Sequence, residues 1–167
     1  MKDEEEAKNA KLKEKVLEGF HPHPNLKSLT IEWYGGKKFP SWVNNLSLFY
    51  NLIHIKLNWC TECEEVPTLW HLPRLRVLEI FRMWKVRSIG SEFYSYSDGS
   101  YENTTKLFPA LRTLKLMGMK TLEEWKDAKE LTSVDKVLVF PFLEELTLHE
   151  CPYLSYLPDS LHNCVSL

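Results

Sequence analysis

Five copies of one short pattern constrain the fold of this chain more than any other feature. Each copy reads leucine, two residues, an apolar residue, one residue and a second apolar residue. The copies are Leu26-Leu29-Ile31, Leu52-Ile55-Leu57, Leu75-Leu78-Ile80, Leu111-Leu114-Leu116 and Leu143-Leu146-Leu148. Their leading leucines are 26, 23, 36 and 32 residues apart. The closing alternation in each copy is the period of a strand buried on one face. Prolines stand just before four of the copies, at Pro24, Pro73, Pro109 and Pro141. Their locked φ guides the chain into extended backbone without interrupting a ladder. Further apolar residues follow at steady offsets. They are Cys60, Cys63 and Val66 after the second copy; Met83, Val86 and Ile89 after the third; Met119, Leu122 and Trp125 after the fourth; and Cys151, Leu154 and Leu157 after the fifth. The first copy is looser, with Tyr34 at the Cys60 position and Phe39-Pro40 closing it.

Self-similarity of this kind is the mark of a leucine-rich-repeat solenoid. The expected fold is an α/β-type repeat solenoid. It is a horseshoe fragment with a short parallel sheet on the concave face and an irregular or briefly helical convex side. One copy buries too little apolar surface to offset the entropy of ordering it, so the copies must stack. Residues 1–19 are strongly charged, with Leu12, Val16 and Leu17 as a thin apolar stripe, and read as a short helix or a solvated loop ending at Gly19. Residues 20–167 form the repeat domain, about five repeats and a truncated sixth that breaks off at Val165-Ser166-Leu167. Segments 91–107, rich in Ser, Tyr and Gly, and 126–139, richer in charge, lengthen two copies and are expected to loop out of the coil. Missing caps and the broken last copy read as a piece of a longer solenoid.

Composition narrows the function. The formal net charge of −2 gives no electrostatic case for nucleic acid or an anionic membrane. No apolar run approaches the roughly 18–20 residues of a membrane span, and the acidic start is the reverse of a secretory leader. Cys60 and Cys151 share one repeat position, Cys63 is the next inward position of its own repeat, and Cys164 lies beside the broken copy. Buried free thiols suit a reducing compartment. The triplets Asn45-Leu46-Ser47 and Asn103-Thr104-Thr105 argue weakly the other way.

Two stretches go beyond the generic repeat. One runs from Val16-Leu17-Glu18-Gly19-Phe20-His21-Pro22-His23-Pro24-Asn25-Leu26 through Tyr34-Gly35-Gly36-Lys37-Lys38-Phe39-Pro40-Ser41-Trp42. The other is Leu146-Thr147-Leu148-His149-Glu150-Cys151-Pro152-Tyr153-Leu154, ending in Leu157-Pro158. Both closely resemble the repeats of plant intracellular immune receptors of the nucleotide-binding, coiled-coil class, and the resemblance runs from residue 16 to 167. It implies a cytoplasmic recognition module of innate immunity and disease resistance. Such a module detects a pathogen effector or a guarded host protein and restrains an adjoining nucleotide-binding domain until ADP is exchanged for ATP. This chain holds no G-x-x-x-x-G-K-[ST] phosphate loop, so it carries no cofactor of its own, and ADP or ATP belongs to the family's separate nucleotide-binding domain.

The outward residues of the strands are the candidate protein-binding surface: Ser28, Thr30 and Glu32; His54, Lys56 and Asn58; Val77, Glu79 and Phe81; Thr113, Lys115 and Met117; Glu145, Thr147 and His149. They form five rows of three, polar with a central apolar spot at Val77, Phe81 and Met117. Exposed aromatics are frequent interface hot spots, while any single position here also reads as plain solvated surface. Trp33, Trp59 and Trp84 follow the strands at nearly one offset. They either grip a partner from the side or pack over the next repeat's turn. Trp42, Trp70 and Trp125 read as core or repeat-closing residues. The lone Cys60-Thr61-Glu62-Cys63 lacks the second pair a structural zinc needs, and His21-Pro22-His23 reads as a stiff loop.

No nucleophile elbow, H-E-x-x-H or paired-carboxylate cleft is present, so a non-enzymatic role is expected. The alternatives are an extracellular repeat ectodomain, which would bring a secretory signal and paired cap cysteines, and a ubiquitin-ligase adaptor, which would bring an F-box-like segment.

Overall fold

The computed structural model describes residues 2–44, 49–94, 106–128 and 137–163. The triplets at Asn45 and Asn103, Cys164, the broken sixth copy and most of both expected insertions lie outside these residues.

Each of the five sequence patterns becomes a five-residue strand: β1 Ser28–Glu32, β2 His54–Asn58, β3 Val77–Phe81, β6 Thr113–Met117 and β9 Glu145–His149. Among the described residues they form one open parallel sheet in the order β1-β2-β3-β6-β9. The register never slips. Leu29, Ile55, Leu78, Leu114 and Leu146 align in one inward row, and Ile31, Leu57, Ile80, Leu116 and Leu148 in the next. A one-residue slip would turn both rows into solvent, which is why the leucine pattern specifies the pairing so tightly. The leading leucines Leu52, Leu75 and Leu111 lie beneath the strands, wholly buried.

The backbone turns the same way after every strand. Trp33, Trp59, Arg82, Gly118 and Glu150 each directly follow a strand, and each has φ between 54° and 68°. Four of them donate their N–H to the last residue of the next strand: Trp33 to Asn58 O, Trp59 to Phe81 O, Arg82 to Met117 O and Gly118 to His149 O. One added hydrogen bond per repeat therefore offsets the cost of the left-handed conformation, about 1–2 kcal/mol for a residue with a Cβ. Glycine occupies only one of the five positions, so composition gave little warning of the turn.

One residue beyond that turn, the chain drops back into the core. Tyr34, Cys60, Met83 and Met119 are buried and Cys151 is half-buried. Cys60 Sγ reaches Ile31 O at 3.7 Å and Cys151 Sγ reaches Leu116 O at 3.6 Å, each on the preceding strand. Cys60, Cys63 and Cys151 are free thiols.

Behind the main sheet lie β4 Ser88–Ile89 paired with β7 Glu124–Trp125, and β5 Lys106–Leu107 paired with β8 Leu138–Val139, both parallel. The short helices α2 Ser41–Asn44 and α3 Ser91–Tyr94 and a 3-10 turn at Asp159–Asn163 complete the back. The two lengthened copies are less looped out than expected. Phe93, Tyr94, Leu107, Ala128, Val137 and Val139 lie in the core although all fall within the expected insertions. Phe93, Phe108, Trp125 and Phe140 form a ring cluster with centroids 4.7–6.3 Å apart. Aromatics do here what leucines do in the shorter copies.

Residues 2–18 form helix α1, Lys2–Glu18, and most of its thin apolar stripe stays open. Leu12 and Val16 face solvent at 60 % and 71 % exposure, and only Leu17 packs inward. The helix is held by polar ends of side chains. Glu14 Oε1 accepts from Lys37 N at 2.8 Å, the Glu18 carboxylate accepts from Ser41 N at 2.9 Å and from its hydroxyl, and Trp42 Nε1 donates to Leu17 O at 2.9 Å.

Candidate functional site

The outward face of the main sheet is built by the alternation that buries its reverse. Strands β2, β3 and β6 read half-buried, buried, half-buried, buried, half-buried along their length. Three rows cross this face. The first holds Ser28, His54, Val77, Thr113 and Glu145; the middle holds Thr30, Lys56, Glu79, Lys115 and Thr147; the third holds Glu32, Asn58, Phe81, Met117 and His149. All the outward residues expected from the sequence are thus on one surface.

Their relations are more specific than alternation alone foretells. The middle row alternates in sign, Lys56, Glu79, Lys115, and each of these charges also reaches diagonally into an outer row. Lys56 Nζ lies 3.1 Å from Glu32, Glu79 lies 2.8 Å from His54 Nε2, and Lys115 Nζ lies 3.3 Å from Glu145. Asn58 Nδ2 donates to Glu32 at 3.1 Å, and this amide, with the Lys56 ammonium behind it, holds the Glu32 carboxyl below the usual carboxylate range. The expected apolar spot divides. Phe81 and Met117 are register partners in the third row, with the Lys56 ammonium 6.0 Å from the Phe81 ring centroid. Val77 stands at the other end of β3 with Glu79 between, because three outward positions on one strand cannot touch end to end.

Two borders flank these rows, and only the one at the strand entries was not foreseen. At the strand entries, Arg74 donates to Asn51 Oδ1 at 3.0 Å, Asn51 donates to Asn25 Oδ1 at 3.3 Å, and Arg112 pairs with Glu144. These residues recur one or three places before each strand, so the repeat spacing held the signal. At the strand exits Trp33 and Trp59 stack, 4.6 Å between centroids and 8° between planes, with Trp84 edge-on to Trp59 at 5.4 Å. Trp33 and Trp59 are true equivalents. The third equivalent is Arg82, whose guanidinium lies 4.8 Å from the Trp59 ring, and Trp84 stands two residues farther on, under Lys120 at 4.7 Å.

The hydrogen bond between the two thiols pulls Cys60 below and pushes Cys63 above the ordinary thiol range, with burial adding to the rise at Cys63. Trp70 and Trp125 are buried, as core residues should be, and Trp42 is half-buried. Among the described residues no helix is long and apolar enough to cross a membrane.

Comparison with known proteins agrees with this architecture. A family model for R13L1/DRL21 leucine-rich repeats matches residues 1–83. The chain is 33 % identical over 153 residues to the disease resistance RPP13-like protein 1 of Arabidopsis thaliana, covering 91 % of this chain and 14 % of that protein. It is 34 % identical over 139 residues to the disease resistance protein RGA4 of Solanum bulbocastanum, covering 83 % of this chain and 13 % of that protein. It is 33 % identical over 156 residues to RGA2 of the same plant, covering 92 % and 15 %. The chain thus spans about one seventh of the length of these relatives. No solved structure matches it. With a sheet of five registered parallel strands and these relatives, the chain belongs to the leucine-rich repeats of plant disease resistance proteins.

Proposed function

We propose that this chain is a non-catalytic protein-recognition and autoinhibitory segment of a plant innate immune receptor, working in the cytoplasm. The sheet is then the concave lining of a horseshoe. Its outward rows contact a pathogen effector or a guarded host protein, and its flank restrains a nucleotide-binding domain elsewhere in the receptor. ADP and ATP belong to that domain, and the repeat segment needs no cofactor.

One observation carries the reading. The outward face joins an apolar pair, Phe81 and Met117, to a middle row of alternating charge, Lys56, Glu79 and Lys115. Apolar anchors beside ordered charges are what a specific protein interface requires. Relatives described as disease resistance proteins supply the setting.

The test is charge reversal in the full receptor that contains this segment. Lys56→Glu, Glu79→Lys and Lys115→Glu are each expected to alter partner binding or to trigger defence signalling without effector, at unchanged protein level. Three variants that all behave as the parent would remove the outward face from the mechanism.

A further inference from the structure

We propose that Cys60 and Cys63 form a modification site: a peroxide oxidises them to an intrachain disulfide, and loss of the Cys63 S–H loosens α1 from the first copy. The site shares no residue with the outward rows, so it stands or falls separately from the proposed function.

The first argument is the pair itself. Cys60-Thr61-Glu62-Cys63 closes a single turn, with Cys63 N donating to Cys60 O at 3.3 Å. The two sulfurs stand within hydrogen-bond reach of each other. Packing does not demand two thiols here. The same two positions hold Met83 and Val86, Met119 and Leu122, and Cys151 and Leu154 in the later copies. Adjacent thiols one turn apart are placed for reversible disulfide formation, which is how disulfides occur in a reducing compartment. Both side chains are buried, but Thr61 and Glu62 between them line the cleft beside α1. Local opening of that one turn admits a molecule as small as a peroxide.

The second argument is what the pair holds. Cys63 Sγ donates to Gly36 O at 3.3 Å, and Lys37 N donates to Glu14 Oε1 at 2.8 Å. The Gly36 carbonyl and the Lys37 N–H belong to one planar peptide unit. The thiol grips one end of that unit and α1 grips the other, so each bond polarises and orients its partner. Gly36 leaves little slack, since a Cβ there would lie 2.8 Å from Glu14 Cγ. Cys60 Sγ reaches the same copy at Ile31 O.

The neighbouring thiol favours ionisation at Cys60 and opposes it at Cys63, which makes Cys60 the attacking sulfur. Its thiolate displaces hydroxide from hydrogen peroxide, breaking the O–O bond and leaving a sulfenic acid. The Cys63 sulfur then attacks that sulfur. An S–S bond forms, the S–O bond breaks, and hydroxide leaves as water with the Cys63 proton. Two thiols and one peroxide thus give one disulfide and two waters. The hydrogen that bound Gly36 O is gone.

The test compares the whole chain reduced by dithiothreitol with the same chain treated with hydrogen peroxide. Peptide mass mapping is expected to find a Cys60–Cys63 disulfide that dithiothreitol reverses. Hydrogen exchange of the α1 amides is expected to run roughly tenfold faster in the oxidised chain, with β2 and β3 unchanged. Cys63→Ser keeps a donor but forms no disulfide, so its α1 should exchange like the reduced parent with or without peroxide. Failure to form the disulfide overturns the proposal. So does a disulfide that leaves α1 exchange unchanged or speeds β2 and β3 equally, or a peroxide response of α1 that persists in Cys63→Ser. If that variant does not fold, the parent's two states decide alone.

Discussion

The indole of Trp125 donates its Nε1–H to the hydroxyl of Tyr94 at 2.7 Å, with both side chains wholly buried in consecutive repeats. This bond ties the back of the third copy to the fourth. Removing the acceptor should leave the indole donor stranded in an apolar surrounding. Tyr94→Phe is expected to cost about 1–3 kcal/mol in urea denaturation. Trp125→Phe combined with Tyr94→Phe should cost less than the two single changes together, because the pair is lost at once. Strict additivity would mean that the bond contributes nothing.

The left-handed residue after each strand gives a pair of predictions of opposite sign. Gly118 has φ +68°, and a Cβ there would lie 3.1 Å from Arg82 Cγ. Gly118→Ala is expected to destabilise by about 1–2 kcal/mol. Glu150 holds φ 54° at the equivalent place, and Glu150→Gly should stabilise by roughly 0.5 kcal/mol once the glycine's extra unfolded-state entropy is subtracted. Urea midpoints moving in the same direction for both would contradict the equivalence of the two turns.

Ion pairs across the outward face should matter little for stability. Lys56, Glu32, Lys115 and Glu145 are partly open to solvent, and exposed pairs contribute at most about 1 kcal/mol. Lys56→Ala and Lys115→Ala are expected to shift the thermal midpoint by no more than a few degrees. A collapse of the fold in either variant would show these residues to be structural and would undercut any binding loss attributed to them.

Mild acid should weaken the fold through a buried histidine. Burial holds the His71 imidazole below its ordinary value of 6.5. The unfolded chain then binds a proton that the folded chain refuses. This contribution is complete above pH 6.5 and falls away as pH drops from there toward the folded value. The denaturation midpoint is expected to decline between pH 7.5 and 5.5, and less steeply in His71→Gln. An identical slope in both proteins would assign the loss to other groups.

The strands could be read from the chain to the residue, because an alternation such as Leu29-x-Ile31 can bury its leucines in only one register. What lay between strands was harder. Phe93, Tyr94 and Leu107 enter the core through a longer path, so they stand at no shared offset from the leucines, and their stretch resembled a solvated loop. Helix α1 was visible as charge, but its docking through Glu14 and Glu18 depends on backbone N–H groups that carry no side-chain signal. The outward residues fall in three rows on one face of the sheet. Their diagonal pairing, Lys56 to Glu32 and Lys115 to Glu145, emerged only once the register aligned copies of unequal length.

The unslipping register has an evolutionary consequence. Main-chain bonds and inward leucines hold the strands together, while the three outward residues of each strand contribute little to that cohesion. Mutation can therefore rewrite what the surface meets, strand by strand, while the scaffold is inherited intact. A protein that must keep pace with changing molecular adversaries gains from such a division, since novelty on one side of the pleat leaves folding on the other undisturbed.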